Sequence, residues 1–105
     1  MILALALAAA SLSAAKAPSG LKFKWTAAPG ITALPGCATG KRPCYRYTLT
    51  QNGVVKAHPQ PNMTQYTLPM PGRGTYLYIL QTDRISATGV ITSSKFNPKV
   101  TYTVQ

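Results

Sequence analysis

From residue 18 to the C-terminus no helical period survives, and this constrains the fold more than any other feature of the chain. Apolar side chains recur at every second position in short runs, and Gly, Pro or Asn closes each run. A two-residue period puts alternate side chains on opposite faces, so each run reads as a strand with one buried face. Leu21, Phe23 and Trp25 alternate with Lys22 and Lys24. Tyr45, Tyr47 and Leu49 alternate with Arg46 and Thr48, and Asn52-Gly53 follows. That dipeptide signals a hairpin, because both central positions of a two-residue turn need positive φ. Val54 and Val55 open a third strand, which the prolines of His58-Pro59-Gln60-Pro61 end. A short strand is predicted over 66–68. The run over 75–82 is apolar on both faces, with Tyr76, Tyr78 and Leu80 on one and Leu77 and Ile79 on the other. That pattern predicts a central strand, ended by Asp83-Arg84. A Thr/Ser-rich stretch holds a short strand near 89–92, and Val100, Tyr102 and Val104 alternate in the last one. Strands of this length and spacing predict a sandwich or a barrel.

The first 15 residues read differently. An apolar run over 2–10 leads into small residues, and Ser13-Ala14-Ala15 before Lys16 fits a small-x-small cleavage site. Ala15-Lys16-Ala17 is a second candidate, disfavoured by Pro18. The segment resembles a secretory signal and is too short for a membrane span of ~20 apolar residues. No Lys or Arg precedes the apolar run, so a second reading competes: Leu3, Leu5 and Leu7 on one face of a strand. Residues 1–15 are therefore expected to be signal peptide-like or an apolar N-terminal segment, and 16–105 a single domain.

Charge and cysteine content narrow the chemistry. Lys and Arg total 11 against one acidic residue, Asp83, and there is no Glu. A net charge of +10 implies acidic surroundings or partners, or simply a soluble surface. Lys41, Arg42, Arg46, Lys56, Arg73, Arg84, Lys95 and Lys99 are the candidate contacts to an anionic partner, although they are scattered along the chain. Cys37 and Cys44 are the only cysteines, and an exported protein would join them in a disulfide with Lys41-Arg42 at the loop tip. Two thiols and the distant His58 do not make a four-ligand metal set. Paired carboxylates cannot exist with one Asp, and a Ser-His-Asp arrangement would need His58 and Asp83 to meet, which nothing in the spacing suggests. No catalytic residue, cofactor or small-molecule substrate is expected. Trp25, Tyr47, Tyr76 and Tyr78 fall at in-facing positions and are expected in the core.

The chain resembles a fibronectin type III domain over roughly 19–104. Ser19-Gly20-Leu21-Lys22-Phe23-Lys24-Trp25 is similar to the family's second strand with its core Trp. Tyr45-Arg46-Tyr47-Thr48-Leu49 with Asn52-Gly53 is similar to the third strand and its turn. Thr64-Gln65-Tyr66-Thr67-Leu68, Pro71-Gly72 and Thr75-Tyr76-Leu77-Tyr78 resemble the run into the sixth strand. The resemblance implies an antiparallel Greek-key β-sandwich of about seven strands, with Tyr76 as a corner tyrosine whose hydroxyl returns to nearby backbone. Two departures stand out. Cleavage after Ala15 would leave almost no room for the family's first strand, and the stretch between the sixth and seventh strands is long. A missing edge strand would leave unpaired backbone groups, which residues 1–15 or a strand donated by another chain could cover.

The leading expectation is a non-enzymatic, exported structural or interaction module, a subunit of an extracellular, virion or filament assembly with a protein partner or itself. The alternative is a secreted or periplasmic binding domain for an anionic polymer: polysaccharide, nucleic acid or lipid head groups. An inhibitor acting through the disulfide loop is a third reading.

Overall fold

A computed structural model describes residues 7–105. Among them are eight antiparallel-paired strands: β1 (Ala10–Ala17), β2 (Gly20–Thr26), β3 (Cys44–Gln51), β4 (Val54–Ala57), β5 (Gln65–Leu68), β6 (Gly74–Ile85), β7 (Ile91–Ser93) and β8 (Lys99–Val104). A single 3-10 turn spans Cys37–Thr39. One sheet runs β1-β2-β5, and the other runs β4-β3-β6-β7, with β8 also paired to β6. The alternation of Leu3, Leu5 and Leu7 falls, apart from an exposed Leu7, outside the described residues.

The two sheets share one core, built from the alternate positions that the period-two runs mark. Leu21, Phe23 and Trp25 of β2 meet Tyr47 and Leu49 of β3 and Tyr78 and Leu80 of β6. Phe23 stacks at a tilt on Tyr78 with ring centroids 4.6 Å apart, and Trp25 meets Tyr47 edge-on at 5.4 Å. Aromatic pairs in these geometries add ~0.5–1.5 kcal/mol beyond their buried area. The Tyr47 hydroxyl accepts a hydrogen bond from the buried Ala28 amide at 3.0 Å, so the ring buries its area without orphaning its polar tip. Tyr78 donates to Gln51 Oε1 at 3.0 Å; burial, then the neighbouring Tyr76 phenol, raises its pKa. Tyr76 is half-buried against the core, and its hydroxyl donates to the Gly72 carbonyl at 2.9 Å.

Local chemistry sets the turns. Asn52 and Gly53 both have positive φ, 48° and 83°, as the β3–β4 hairpin requires. Gly20 has φ 145°, and a Cβ there would lie 2.1 Å from the Leu68 carbonyl oxygen of β5, so only glycine admits that approach.

Three expectations need correction. There are eight strands among the described residues, where the resemblance implies about seven. The additional strand is β1, which covers the edge that cleavage after Ala15 would open, one of the two covers considered for it. It pairs with β2 from Ala10↔Thr26 to Ala17↔Gly20, with an irregularity between Ala10 and Ser13. Leu12 and Ala14 turn inward, but the strand is otherwise Ala, Ser and one Lys, so backbone bonding holds it more than side-chain burial does. Second, β6 does not stop at Asp83-Arg84. It continues to Ile85, because β3 on one side and β7 on the other keep its backbone paired. Third, the Thr/Ser-rich stretch yields β7 at 91–93 and then leaves the sheet. Ser94 and Pro98 are tied back to Thr82 and Leu80 by backbone bonds, so 95–97 project as a tip.

Candidate functional site

Asp83 organises the outer face of the five-stranded sheet. Alternation along β6 sends Tyr78, Leu80 and Thr82 into the core, which puts Gln81 and Asp83 on the opposite face. The register sets Arg46 of β3 and Ser93 of β7 directly across from Asp83, and Thr48 across from Gln81. All four converge on the carboxylate. Thr48 Oγ1 donates to Oδ2 at 2.5 Å and Arg46 Nε donates to the same oxygen at 3.1 Å. Gln81 Nε2 and Ser93 Oγ donate to Oδ1, both at 2.8 Å. Asp83 is only 2% exposed. Burial by itself raises a carboxyl pKa, but the four hydrogen bonds outweigh it and hold Asp83 below the ordinary value.

His58 joins this network, contrary to the expectation that it stays apart from Asp83. The histidine is exposed, yet its Nδ1 lies 3.1 Å from Thr48 Oγ1 and 3.2 Å from the Tyr47 carbonyl oxygen. The Thr48 proton goes to Asp83, a carboxylate that can only accept, so Thr48 Oγ1 accepts from His58 Nδ1–H. His58 and Asp83 are therefore linked through one hydroxyl. The long-range turn that places Pro59 beside β3, with Tyr47 N donating to the Pro59 carbonyl at 3.1 Å, brings them together. No sequence spacing carries that information. The link does not make a hydrolytic triad: Thr48 lies between the two as a donor to Asp83, and Asp83 is committed to Arg46.

Cys37 and Cys44 form a disulfide, S–S 2.00 Å. Cys44 starts β3 on the same outer face and is fully buried, and the chain from Pro35 to Cys37 runs beside β3 through a Gly36–Tyr45 bridge. Lys41 and Arg42 occupy the loop between the cysteines and are exposed, and Arg42 Nη1 donates to the Lys41 carbonyl at 3.0 Å. Arg42 and Arg46 come together at a cleft that His58 and Gln60 also line. The remaining candidates do not join them. Lys56 lies on β4, Arg73 precedes β6, Arg84 is half-buried near its end, Lys95 sits on the projecting tip and Lys99 opens β8. Of the candidate contacts, Arg46 alone has an acidic partner. Another cleft, of about 420 Å³ and bordered by Gln51, Lys56, Met70 and Tyr76, contains no acid–base pair.

Phe96, which the sequence reading did not single out, is 96% exposed with φ 57° at the tip between β7 and β8. Among the described residues no helix is long and apolar enough to cross a membrane. No family model, curated protein or solved structure matches the chain.

Proposed function

We propose that this chain is a non-enzymatic, exported, fibronectin type III-like module that binds an anionic partner through its surface. One observation carries the reading: the only acidic side chain is internal. Asp83 is buried and paired with Arg46, so the other ten of the eleven Lys and Arg side chains have no acidic side chain to meet at the surface. Solubility needs charge but does not require that every surface charge have one sign. A one-sign surface attracts polyanions and repels copies of itself. The strand order β1-β2-β5 facing β4-β3-β6, together with the Tyr76 hydroxyl bonded back to Gly72, supports the fibronectin-like Greek-key arrangement. The disulfide fits an oxidising compartment.

The test is binding of the purified chain to a sulfated polysaccharide, a nucleic acid and anionic vesicles, with neutral dextran as control, across a salt series. Affinity should fall linearly on a log–log plot as counterions are released. Failure to bind any polyanion at about 50 mM salt, where such contacts are strongest, would sink the reading.

A second reading, membership of a virion, filament or surface assembly, is favoured by β1. The small-x-small site at 13–15 lies inside that strand, and processing after Ala15 would remove most of it. The open edge of β2 would then accept a strand from another copy. Intact mass together with a sizing column tests this. A processed chain that elutes as a larger species supports it, and a processed chain that stays monomeric refutes it.

A further inference from the structure

We infer that the cleft between the disulfide loop and the His58–Gln60 segment is a binding site for a single sulfate or phosphate ester group, an inference that rests on the anionic-partner reading above. The cleft measures about 220 Å³ and is lined by Cys37, Ala38, Arg42, Arg46, His58 and Gln60. It is smaller than the ~300–1,000 Å³ typical of sites that enclose a whole small molecule. A site of this size takes one charged group of a longer chain.

Its donors are held in place before any ligand arrives. Arg46 uses Nε on Asp83, and its two terminal nitrogens have no hydrogen-bond partner among the described residues. The guanidinium is thereby fixed by one edge while the rest of its fork remains free, and that fork matches an oxyanion bidentately. Arg42 approaches from the other wall, on a loop that the Cys37–Cys44 bond closes. The His58 ring is oriented by its Nδ1–H bonds to Thr48 and Tyr47, and Nε2 has no partner among the described residues. In the imidazolium form Nε2 is a further donor. Gln60 borders the cleft on a segment anchored by the fully buried Pro59. Donors from three separate segments suit a tetrahedral group better than a planar carboxylate. The charge of the one nearby carboxylate is offset by the paired Arg46, which leaves Arg42 as the uncompensated cation of the cleft.

This site separates two kinds of cation in one surface. Arg42 and Arg46 converge on the cleft, whereas Lys99 and Lys95 lie on the far side of β6. A diffuse electrostatic partner would use them all alike.

The test uses the full chain, labelled with ¹⁵N and titrated with inorganic sulfate and then phosphate. The Nε–H signals of Arg42 and Arg46 and the side-chain amide of Gln60 should shift together and saturate. Affinities are then measured for a sulfated oligosaccharide and for a single-stranded oligonucleotide of equal charge. Arg42 has one hydrogen bond among the described residues, to its neighbour's carbonyl, so Arg42→Ala should weaken binding about tenfold or more, the size expected for a lost charge-assisted contact. Lys99→Ala should cost about twofold or less, as exposed charges do. The polymer that shows this contrast identifies the source of the ester group. Equal losses for the two variants, with binding retained, would overturn the cleft and leave the anionic-partner reading standing. No binding of the unaltered protein to either polymer would overturn both.

Discussion

Replacing Asp83 by asparagine keeps the shape of the side chain and removes the only acidic side chain in the protein. The carboxylate accepts four hydrogen bonds, one of them from a guanidinium. Asparagine can keep its carbonyl toward Arg46 and Thr48, while Ser93 and Gln81 rotate to accept from the new amide. The bonds can thus persist, but those with Thr48, Gln81 and Ser93 fall from the charge-assisted class to the neutral class, a difference of ~1 kcal/mol per bond, and the bond from Arg46 loses its ion pair. Arg46 is 26% exposed, so solvent partly replaces the lost partner and moderates the cost. Together these give an expected loss of ~3 kcal/mol at neutral pH, at the lower end of the ~3–5 kcal/mol typical when one member of a fully buried pair is deleted. With an m-value of ~1–1.5 kcal/mol/M, the urea midpoint should drop by ~2–3 M. The pH dependence gives a sharper readout. Asp83 is held below its ordinary pKa of ~3.9. Its stabilisation is therefore complete above that value and is lost as the pH falls through the folded-state pKa. No other acidic side chain exists, so Asp83 is the only side-chain carboxyl that contributes to the acid limb of the stability curve, with a slope of no more than ~1.4 kcal/mol per pH unit from this group. Asp83→Asn should flatten that limb. A loss under ~1 kcal/mol at pH 7, or an acid limb unchanged in the variant, would refute the account of Asp83 as the keystone of the outer face.

Three further substitutions probe the fold, each by urea denaturation followed by tryptophan fluorescence. Thr82 is 1% exposed and its hydroxyl has no partner among the described residues, so Thr82→Val should raise stability by ~1 kcal/mol; a decrease would show that the hydroxyl is satisfied after all. Phe96 buries nothing yet sits at φ 57°, where asparagine is at home, so Phe96→Asn should be neutral to stabilising by ~1 kcal/mol, and a clear loss would contradict the exposed, left-handed tip. Joint replacement of Cys37 and Cys44 by alanine opens a short ring and should cost ~2–3 kcal/mol. The unaltered protein should resist alkylation until it is reduced.

Some of this protein was legible from local pattern alone. The alternation of Leu21, Phe23 and Trp25, of Tyr47 and Leu49, and of Tyr78 and Leu80 identified core faces, because side-chain direction in a strand follows directly from position. Asn52-Gly53 identified its turn for a similarly local reason, the φ values that the two residues tolerate. The lone cysteine pair needed only its own count. The first strand was a different matter. Ser13 and Ala15 carry no strand preference, and what holds them is the free edge of β2, which lies outside their own stretch of sequence. The outer-face network was further out of reach. Arg46 and Asp83 are 37 residues apart, Thr48 and Asp83 35, and Ser93 reaches the carboxylate only because β7 takes the other side of β6. Local pattern also ended the central strand at Asp83, where pairing on both sides carries it to Ile85. The amino-acid sequence by itself determined the charge excess, the strand faces and the scarcity of acid. Only the tertiary structure decided that the single acid would be buried, and that His58, Arg42 and Arg46 would share one cleft. Those outcomes depend on cross-strand register and loop return between distant segments, which no local periodicity encodes.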